Sequence, residues 1–227
     1  MKRQSFLFLS VLLTAILLVF ACPTTNTDED TETNNGGDET TTYTTKKFVS
    51  IADGYVQFYT DDPVYSTTGK TVWLSGDVSQ DTNTYNVEIE TKKITGNQFA
   101  GYGLIFCVQE DINDFLMVQI NTQGKYMIGK VTDKVSKTIQ GWGESDLLKQ
   151  NLNTTNTIKV KYNTGTGKFG LYINDDNDGD EDELECEFID SDTSPYLSGK
   201  WGFIAEVSPL DALPYVPVEI VFKDLTP

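Results

Sequence analysis

The sequence predicts an all-β fold, a sandwich of two antiparallel sheets. Segments of about five to eight residues rich in Val, Ile, Tyr and Phe alternate with clusters of turn residues. Short links that contain glycine, such as 121–124 and 163–167, suit β-hairpins. No stretch carries apolar residues at helical spacing for three turns. Many strands without interleaved helices favour a sandwich over an α/β fold.

The amino terminus predicts an export signal over residues 1–21. Two basic residues precede an apolar run from Phe6 to Ala21 that ends at Cys22. The run is shorter than the roughly 20 residues that a membrane-spanning helix needs, which favours processing over permanent insertion. The ending "LLVFAC" resembles a bacterial lipobox, and this resemblance implies that Cys22 becomes a lipid-modified first residue. An ordinary secretory signal is the alternative.

Residues 22–45 predict a disordered tether. The segment is rich in Thr, Asn and Gly, carries six acidic residues and has one large apolar residue, Tyr43. Such a chain buries too little surface to offset the entropy lost on ordering. The remaining residues, 46–227, are long enough for one domain with a sizeable core. We therefore expect a lipid-anchored, extracytoplasmic protein of a bacterial cell envelope, at the outer membrane or cell surface.

Composition excludes several classes of function. The chain has 34 acidic and 17 basic residues, a formal net charge of −17, which disfavours nucleic acid as a partner. It contains no histidine. Catalytic triads, HExxH sites and His-Cys zinc sites are therefore excluded, because each needs an imidazole. Chemistry that uses carboxylates alone is not excluded.

Ten strands are predicted along the head, in the order in which they occur. They are "GYVQFYT", "YNVEIETKK", "GYGLIFCVQ", "DFLMVQI", "KYMIGKV", "TIKVKY", "KFGLYIN", "ELECEFI", "KWGFIAEV" and "PVEIVFKDL". The link "SGK" also suits a hairpin, and "ESDLLKQNL" suits a single helical turn.

The strand order resembles the concanavalin A-like lectin and glucanase superfamily. The resemblance is carried by "GYGLIF", "DFLMVQI", the "GKY" hairpin, a loop with a tryptophan, "NTIKV", "LYIN" and "GKWGF". The head is similar in particular to laminin G-like jelly-roll modules of bacterial extracytoplasmic proteins, which include a group known as keto-disaccharide hydrolases. This resemblance implies a jelly-roll sandwich. It leaves function open, because the superfamily contains lectins, glycosidases and adhesion or spacer domains.

Glu88 and Glu90 are the first candidate ligand-binding residues. Strand alternation puts Val87 and Ile89 on one face and the two glutamates on the other. Some glucanases of the superfamily use an E-x-D-x-x-E strand, but here the third acidic position is Lys93. We therefore predict that this sheet face is solvated and that it does not catalyse hydrolysis.

Trp142 is the third candidate ligand-binding residue. It lies between two glycines in "QGWGES", which predicts a loop, and an indole ring there can stack on a sugar ring. Anchoring of the loop is the alternative role. Trp73 and Trp201 lie in strand-like segments and are predicted to be core residues.

The head contains two cysteines, Cys107 and Cys186. Strand alternation puts Cys186 on the inward face with Leu184, whereas Cys107 follows the inward Phe106 and is predicted to face outward. Opposite faces favour two free thiols over a disulfide.

The stretch from Asn174 to Glu185 predicts a structural calcium site. With Gly179 at the sixth position of a calcium loop, oxygen-bearing side chains fall at positions one, three, five, seven, nine and twelve. The predicted ligands are Asn174, Asp176, Asp178, Asp180, Asp182 and Glu185. Strands rather than helices flank the loop, so it is not an EF-hand, and an acidic hairpin without metal is the alternative.

We therefore expect a binding or adhesion module that is not an enzyme and that recognises a glycan or a surface protein. A jelly-roll glycosidase and a purely structural surface lipoprotein are the two alternatives.

Overall fold

The fold was analysed in a computed structural model that describes residues 48–61, 69–74, 86–110, 112–176, 183–207 and 217–226. All of them belong to one compact unit, Asp38–Pro227. The described part contains 13 strands and one 3₁₀ turn, Ala52–Gly54. The strands are β1 (Phe48–Ser50), β2 (Tyr55–Thr60), β3 (Gly69–Leu74), β4 (Asn86–Thr95), β5 (Tyr102–Val108), β6 (Phe115–Ile120), β7 (Lys125–Thr132), β8 (Val135–Glu144), β9 (Thr155–Asn163), β10 (Lys168–Ile173), β11 (Leu184–Phe188), β12 (Lys200–Val207) and β13 (Val218–Asp224).

The strands form two antiparallel sheets. The seven-stranded sheet has the order β1-β2-β13-β4-β9-β10-β11, and the six-stranded sheet has the order β3-β12-β5-β6-β7-β8. All the strand pairs described are antiparallel. The chain crosses between the sheets several times, as a jelly roll requires, so the predicted fold class is confirmed.

The main core lies between the two sheets. Inward residues alternate along the strands, as Val87 and Ile89 do on β4, where both are buried. Aromatic rings join the sheets: Phe203 on β12 stacks on Phe222 on β13 with ring centroids 4.8 Å apart. Burying a side chain of this size stabilises the fold by about 1.5–3 kcal/mol. Trp201 is also buried here, as predicted.

A second apolar cluster lies on the other face of the six-stranded sheet. Odd-numbered residues of β6 and β7 point away from the main core, yet they are buried. The cluster consists of Ile105, Val108, Phe115, Met117, Met127, Val131 and Ile204. The near-continuous apolar runs of β5 and β6 are the sequence signal for strands that are buried on both faces.

All ten predicted strands are present, and three strands were not predicted. The missing ones are β1, β3 and β8, and β8 includes the segment that was predicted to be a loop around Trp142. The links 121–124 and 163–167 join paired strands, as expected. The link "SGK" does not form a hairpin, because β11 and β12 belong to different sheets.

Two further predictions are wrong. The stretch from Glu144 to Leu152 forms bends and turns rather than a helical turn. Cys107 does not face outward: it has a positive φ of 51° and packs in the main core. The positive φ coincides with a register irregularity between β5 and β12, which interrupts the strand alternation. Both cysteines of the head have free thiols in the structure.

The predicted signal, Cys22 and the tether lie outside the described residues, so their assignment stays a prediction. Within the described ranges, no helix is long and apolar enough to cross a membrane.

Candidate functional site

Trp142 lies on strand β8, at the edge of the six-stranded sheet, and its side chain is 42% exposed. The pairing of β7 with β8 is irregular at this point: Tyr126 pairs with Gly143, and Ile128 pairs with Gln140. Such a bulge changes the direction of a side chain relative to regular alternation. Trp142 is therefore a partly exposed ring on a paired strand and not a loop residue.

Gln119 provides a buried amide next to this ring. It occupies an outward position on β6 and is 0% exposed. Its Nε2 donates to Glu206 Oε2 over 3.4 Å, which is longer than a good N–H···O hydrogen bond. Its Oε1 is buried and accepts no hydrogen bond. A buried unsatisfied acceptor destabilises a fold by about 1–3 kcal/mol.

Gly101 allows the ring and the amide to meet. A Cβ at this position would lie 2.8 Å from Gln119 Nε2 and 3.1 Å from Trp142 Cη2. Both side chains therefore lie about 3 Å from one point above Gly101. The Gly101 carbonyl accepts a hydrogen bond from the Glu206 backbone N–H at 2.8 Å, which brings β12 to the same place. We call Gly101, Gln119, Trp142 and Glu206 the Trp142 site.

The Trp142 site combines an apolar ring with hydrogen-bonding groups that are mainly acceptors. Gln119 Oε1 and the Glu206 carboxylate are acceptors, and the donor that the Gln119 amide supplies already points to Glu206. A complementary molecule therefore supplies an apolar face for the indole and hydroxyl or amine donors for the acceptors. An anionic molecule is disfavoured by the Glu206 carboxylate.

Glu88 and Glu90 lie on the outer face of the other, seven-stranded sheet, so the structure does not bring them together with Trp142. The expectation of a solvated face is wrong at Glu88, which is 8% exposed. Lys159 Nζ lies 3.4 Å from Glu88 Oε2 and 2.6 Å from Asp175 Oδ2. Glu90 accepts a hydrogen bond from the Tyr55 hydroxyl at 2.9 Å. Ion pairing across the sheet explains the burial, since a buried carboxylate needs a partner.

The electrostatics of this face show that its charges serve one another. Burial alone would lower the pKa of Lys159, but the hydrogen bond to Asp175 and the nearby charge of Glu88 outweigh it, and the pKa is raised. The hydrogen bond to Glu90 raises the pKa of Tyr55. Lys161 Nζ lies 4.4 Å from the centroid of the Tyr172 ring, a cation–π contact. Neither glutamate has the unengaged geometry of a general acid or base.

The acidic stretch converges differently from the predicted calcium loop. Carboxylate oxygens of Asp175, Asp176 and Glu183 lie within 4.8 Å of one another, a grouping that could hold a cation. Of the predicted ligands, Asp176 belongs to this grouping, whereas Asp178, Asp180 and Asp182 lie outside the described residues.

Asn174 and Glu185, the first and last predicted ligands, are engaged elsewhere. Asn174 has a φ of 57°, accepts a hydrogen bond from the Thr157 N–H at 3.0 Å and donates one to the Leu147 carbonyl at 2.8 Å. Glu185 accepts a hydrogen bond from the Ser145 hydroxyl at 2.6 Å. The amide of Asn174 thus fixes the end of β10, and the spacing rule of a helical calcium loop does not apply between strands.

Three residues of the Trp142 site were not predicted from the sequence. Gln119 is the one polar residue among the outward positions of β6, where Phe115 and Met117 are apolar, and this break in the pattern is a usable signal. Gly101 and Glu206 carry no comparable signal, because their roles depend on which strands become neighbours.

The fold has known counterparts. No protein-family model and no curated protein sequence matches the chain. Among solved structures, the carbohydrate-binding module CBM66 from Bacillus subtilis is similar with a TM-score of 0.54 and 15% identity, over 78% of this chain and 87% of that one. Identity at this level indicates a shared fold.

Two further solved structures have lower similarity. Sheep galectin-11, in complex with glycerol, has a TM-score of 0.39 and 8% identity over 62% of this chain and 90% of that one. A GH43 protein, BlXynB from Bacillus licheniformis, has a TM-score of 0.42 and 11% identity over 76% of this chain and 33% of that one.

Proposed function

We propose that this protein is a non-catalytic glycan-binding module, held at the outside of a bacterial envelope by lipid at Cys22. The ligand is a neutral carbohydrate, and the site is the Trp142 site on the six-stranded sheet. A carbohydrate-binding module is known with the same fold, but the residues of this chain carry the proposal.

The single observation that carries it is the meeting of Trp142, partly exposed, with the buried Gln119 amide over Gly101. A sugar ring has an apolar face and a rim of hydroxyl groups. The indole offers a flat surface for the face, and Gln119 and Glu206 offer acceptors for the rim. A site with buried acceptors rejects molecules that lack the matching donors, because those acceptors then stay unpaired.

A glycosidase is the alternative with a specific observation behind it. Glu88 and Glu90 are two residues apart on one strand face, a separation of about 7 Å that is compatible with two catalytic carboxyl groups. Both groups are already held, by Lys159 and by the Tyr55 hydroxyl. The ion pair with Lys159 favours the charged form of Glu88, whereas a general acid must be protonated.

A carbohydrate array tests the proposal with the full chain in detergent. The wild-type chain is expected to bind neutral oligosaccharides, and Trp142→Ala to lose at least about tenfold in affinity, since ring stacking and apolar burial are both removed. Val135→Ala is the matched control, because Val135 is also an exposed apolar residue of β8. Hydrolysis of array sugars that disappears in Glu88→Gln or Glu90→Gln would establish the glycosidase instead.

A further inference from the structure

The loop from Gly96 to Gly101, between β4 and β5, has a fixed backbone. Asn97 accepts two hydrogen bonds within the loop: its Oδ1 from the Phe99 N–H at 2.9 Å and its carbonyl from the Ala100 N–H at 3.3 Å. The Gln98 carbonyl accepts a hydrogen bond from the Thr122 hydroxyl at 3.2 Å. These contacts tie the loop to itself and to the turn after β6.

Lys93 holds the same loop from inside the protein. It lies on β4 and pairs with Ile220, a core residue, and it is 0% exposed. Its Nζ donates to the carbonyls of Asn97 at 2.5 Å and Ala100 at 3.1 Å. A buried ammonium group loses its hydration, so a lysine at this position is unfavourable unless its donors are used. Here two of those donors fix the loop.

Phe99 lies at the tip of this fixed loop and is 66% exposed. It precedes Gly101 by two residues, so its Cα lies within about 7 Å of the Gly101 Cα. Gly101 in turn contacts the Trp142 ring region and the Gln119 amide. Two exposed aromatic residues therefore stand near the same glycine, one on the loop and one on β8.

We propose that the loop from Gly96 to Gly101 forms a second wall of the Trp142 site, where Phe99 contacts an oligosaccharide and Lys93 is the positioning residue. This inference rests on the proposed function and extends it. The ligand is then a neutral chain of at least two sugar residues, one against Trp142 and the next against Phe99. Fixing the loop before binding lowers the ordering entropy that binding must overcome.

Calorimetry with the full chain tests the inference. The probes are neutral gluco-, xylo-, galacto- and fructo-oligosaccharides, from monosaccharide to pentasaccharide. Phe99→Ala is expected to weaken oligosaccharide binding about tenfold and to leave monosaccharide binding within about twofold, because only the second sugar reaches the loop. Lys93→Met is expected to give the same selective loss. Hydrogen exchange of the Phe99 and Ala100 amides should be faster in Lys93→Met than in the wild-type chain.

Lys92→Met is the matched control, because Lys92 precedes Lys93 on β4 and points to the opposite face of the sheet. It should bind and exchange like the wild-type chain. If Trp142→Ala abolishes binding but Phe99→Ala and Lys93→Met bind oligosaccharides like the wild type, this inference is wrong and the proposed function stands. A uniform loss for all probe lengths also overturns it. A wild-type chain that binds no probe overturns the proposed function and the inference together.

Discussion

Gln119 shows how one residue of this sheet favours binding over stability. Its outward neighbours on β6, Phe115 and Met117, belong to an apolar cluster, whereas Gln119 brings a polar amide into the same buried face. The Oε1 atom accepts no hydrogen bond there. An apolar side chain of similar size would avoid this penalty of about 1–3 kcal/mol. Retaining an amide is therefore explained by a ligand that supplies the missing donor.

Replacing Gln119 with leucine should separate the two effects. We expect Gln119→Leu to keep or raise the melting temperature, because a buried unsatisfied acceptor is removed. Affinity for neutral oligosaccharides should fall about tenfold, which corresponds to the loss of about one hydrogen bond. Differential scanning calorimetry and titration calorimetry measure the two quantities. A clear loss of stability together with unchanged affinity would show that Gln119 has a structural role.

A second polar group is buried for stability alone. Lys130 Nζ lies 2.8 Å from Asp190 Oδ2 and 3.1 Å from Asp192 Oδ2, and 3.8 Å from the centroid of the Tyr196 ring. Lys130 and Asp190 are almost fully buried. This network fixes the segment after β11 against β7. Its hydrogen bonds to Lys137 and Lys130 lower the pKa of Asp192.

The lowered pKa of Asp192 predicts a dependence of stability on pH. The folded state favours the charged carboxylate, so its contribution is present above the pKa of an unfolded aspartate, about 3.9, and is lost as pH falls through the lower folded value. We expect Asp192→Asn to melt below the wild type at pH 7, and the difference to narrow below about pH 4. Asp146→Asn, at an exposed position, is the control. A difference in melting temperature that stays constant across this range would contradict the assignment.

At the scale of the elements, the acidic stretch between β10 and β11 still predicts a calcium site. The structure gives the prediction a different set of ligands, Asp175, Asp176 and Glu183. Asp175 also pairs with Lys159 at 2.6 Å, so the test should leave it unchanged. Calcium at a hundredfold excess over its Kd would stabilise the folded chain by about 2.7 kcal/mol.

Thermal melts in calcium, magnesium and chelator test the calcium prediction. Calcium should raise the melting temperature by several degrees and magnesium much less, because magnesium requires a tighter octahedral site. Asp176→Asn combined with Glu183→Gln should remove the shift, whereas Glu187→Gln, in an exposed ion pair with Lys168, should retain it. Equal melting temperatures in calcium and chelator would leave the stretch as a solvated acidic hairpin.

The elements that could be predicted are those whose side chains alternate. β4 and β10 carry apolar residues at every second position, and this pattern fixes both the strand and its inward face. β8 carries no such pattern: most of its residues are exposed, and Trp142 stands between two glycines. Its pairing with β7, a tertiary contact, makes it a strand.

The candidate site could be predicted in one residue, Trp142. Its ring was identifiable as a ligand surface from the sequence, but its partners come from β6, β12 and the loop before β5. Their proximity depends on the strand order of the six-stranded sheet, in which β12 pairs with β5 across more than ninety residues of sequence. No local pattern encodes that neighbourhood. Glu88 and Glu90 were placed on the correct face, but their ion-pair partners depend on the pairing of β4 with β9.

At the scale of the whole molecule, the predicted anchor decides where the binding site works. We expect the mature chain to begin at a lipid-modified Cys22 and to partition into the detergent phase, because two acyl chains give stable membrane binding where one does not. Cys22→Ser should move the protein to the aqueous phase. Cys107→Ser, a change in the buried core, is the control that keeps the anchor. Identical partitioning of wild type and Cys22→Ser would contradict the lipid anchor.

The central claim is that a neutral glycan binds on the six-stranded sheet at Trp142. Hydrogen exchange of the full chain, with and without a saturating neutral oligosaccharide from the array, tests it most directly. The account predicts slower exchange at Gly101, Gln119 and Trp142, and in the loop from Gly96, with no change on β4 from Asn86 to Glu90. Protection confined to β4 and β9 would place the ligand on the opposite sheet and contradict the account.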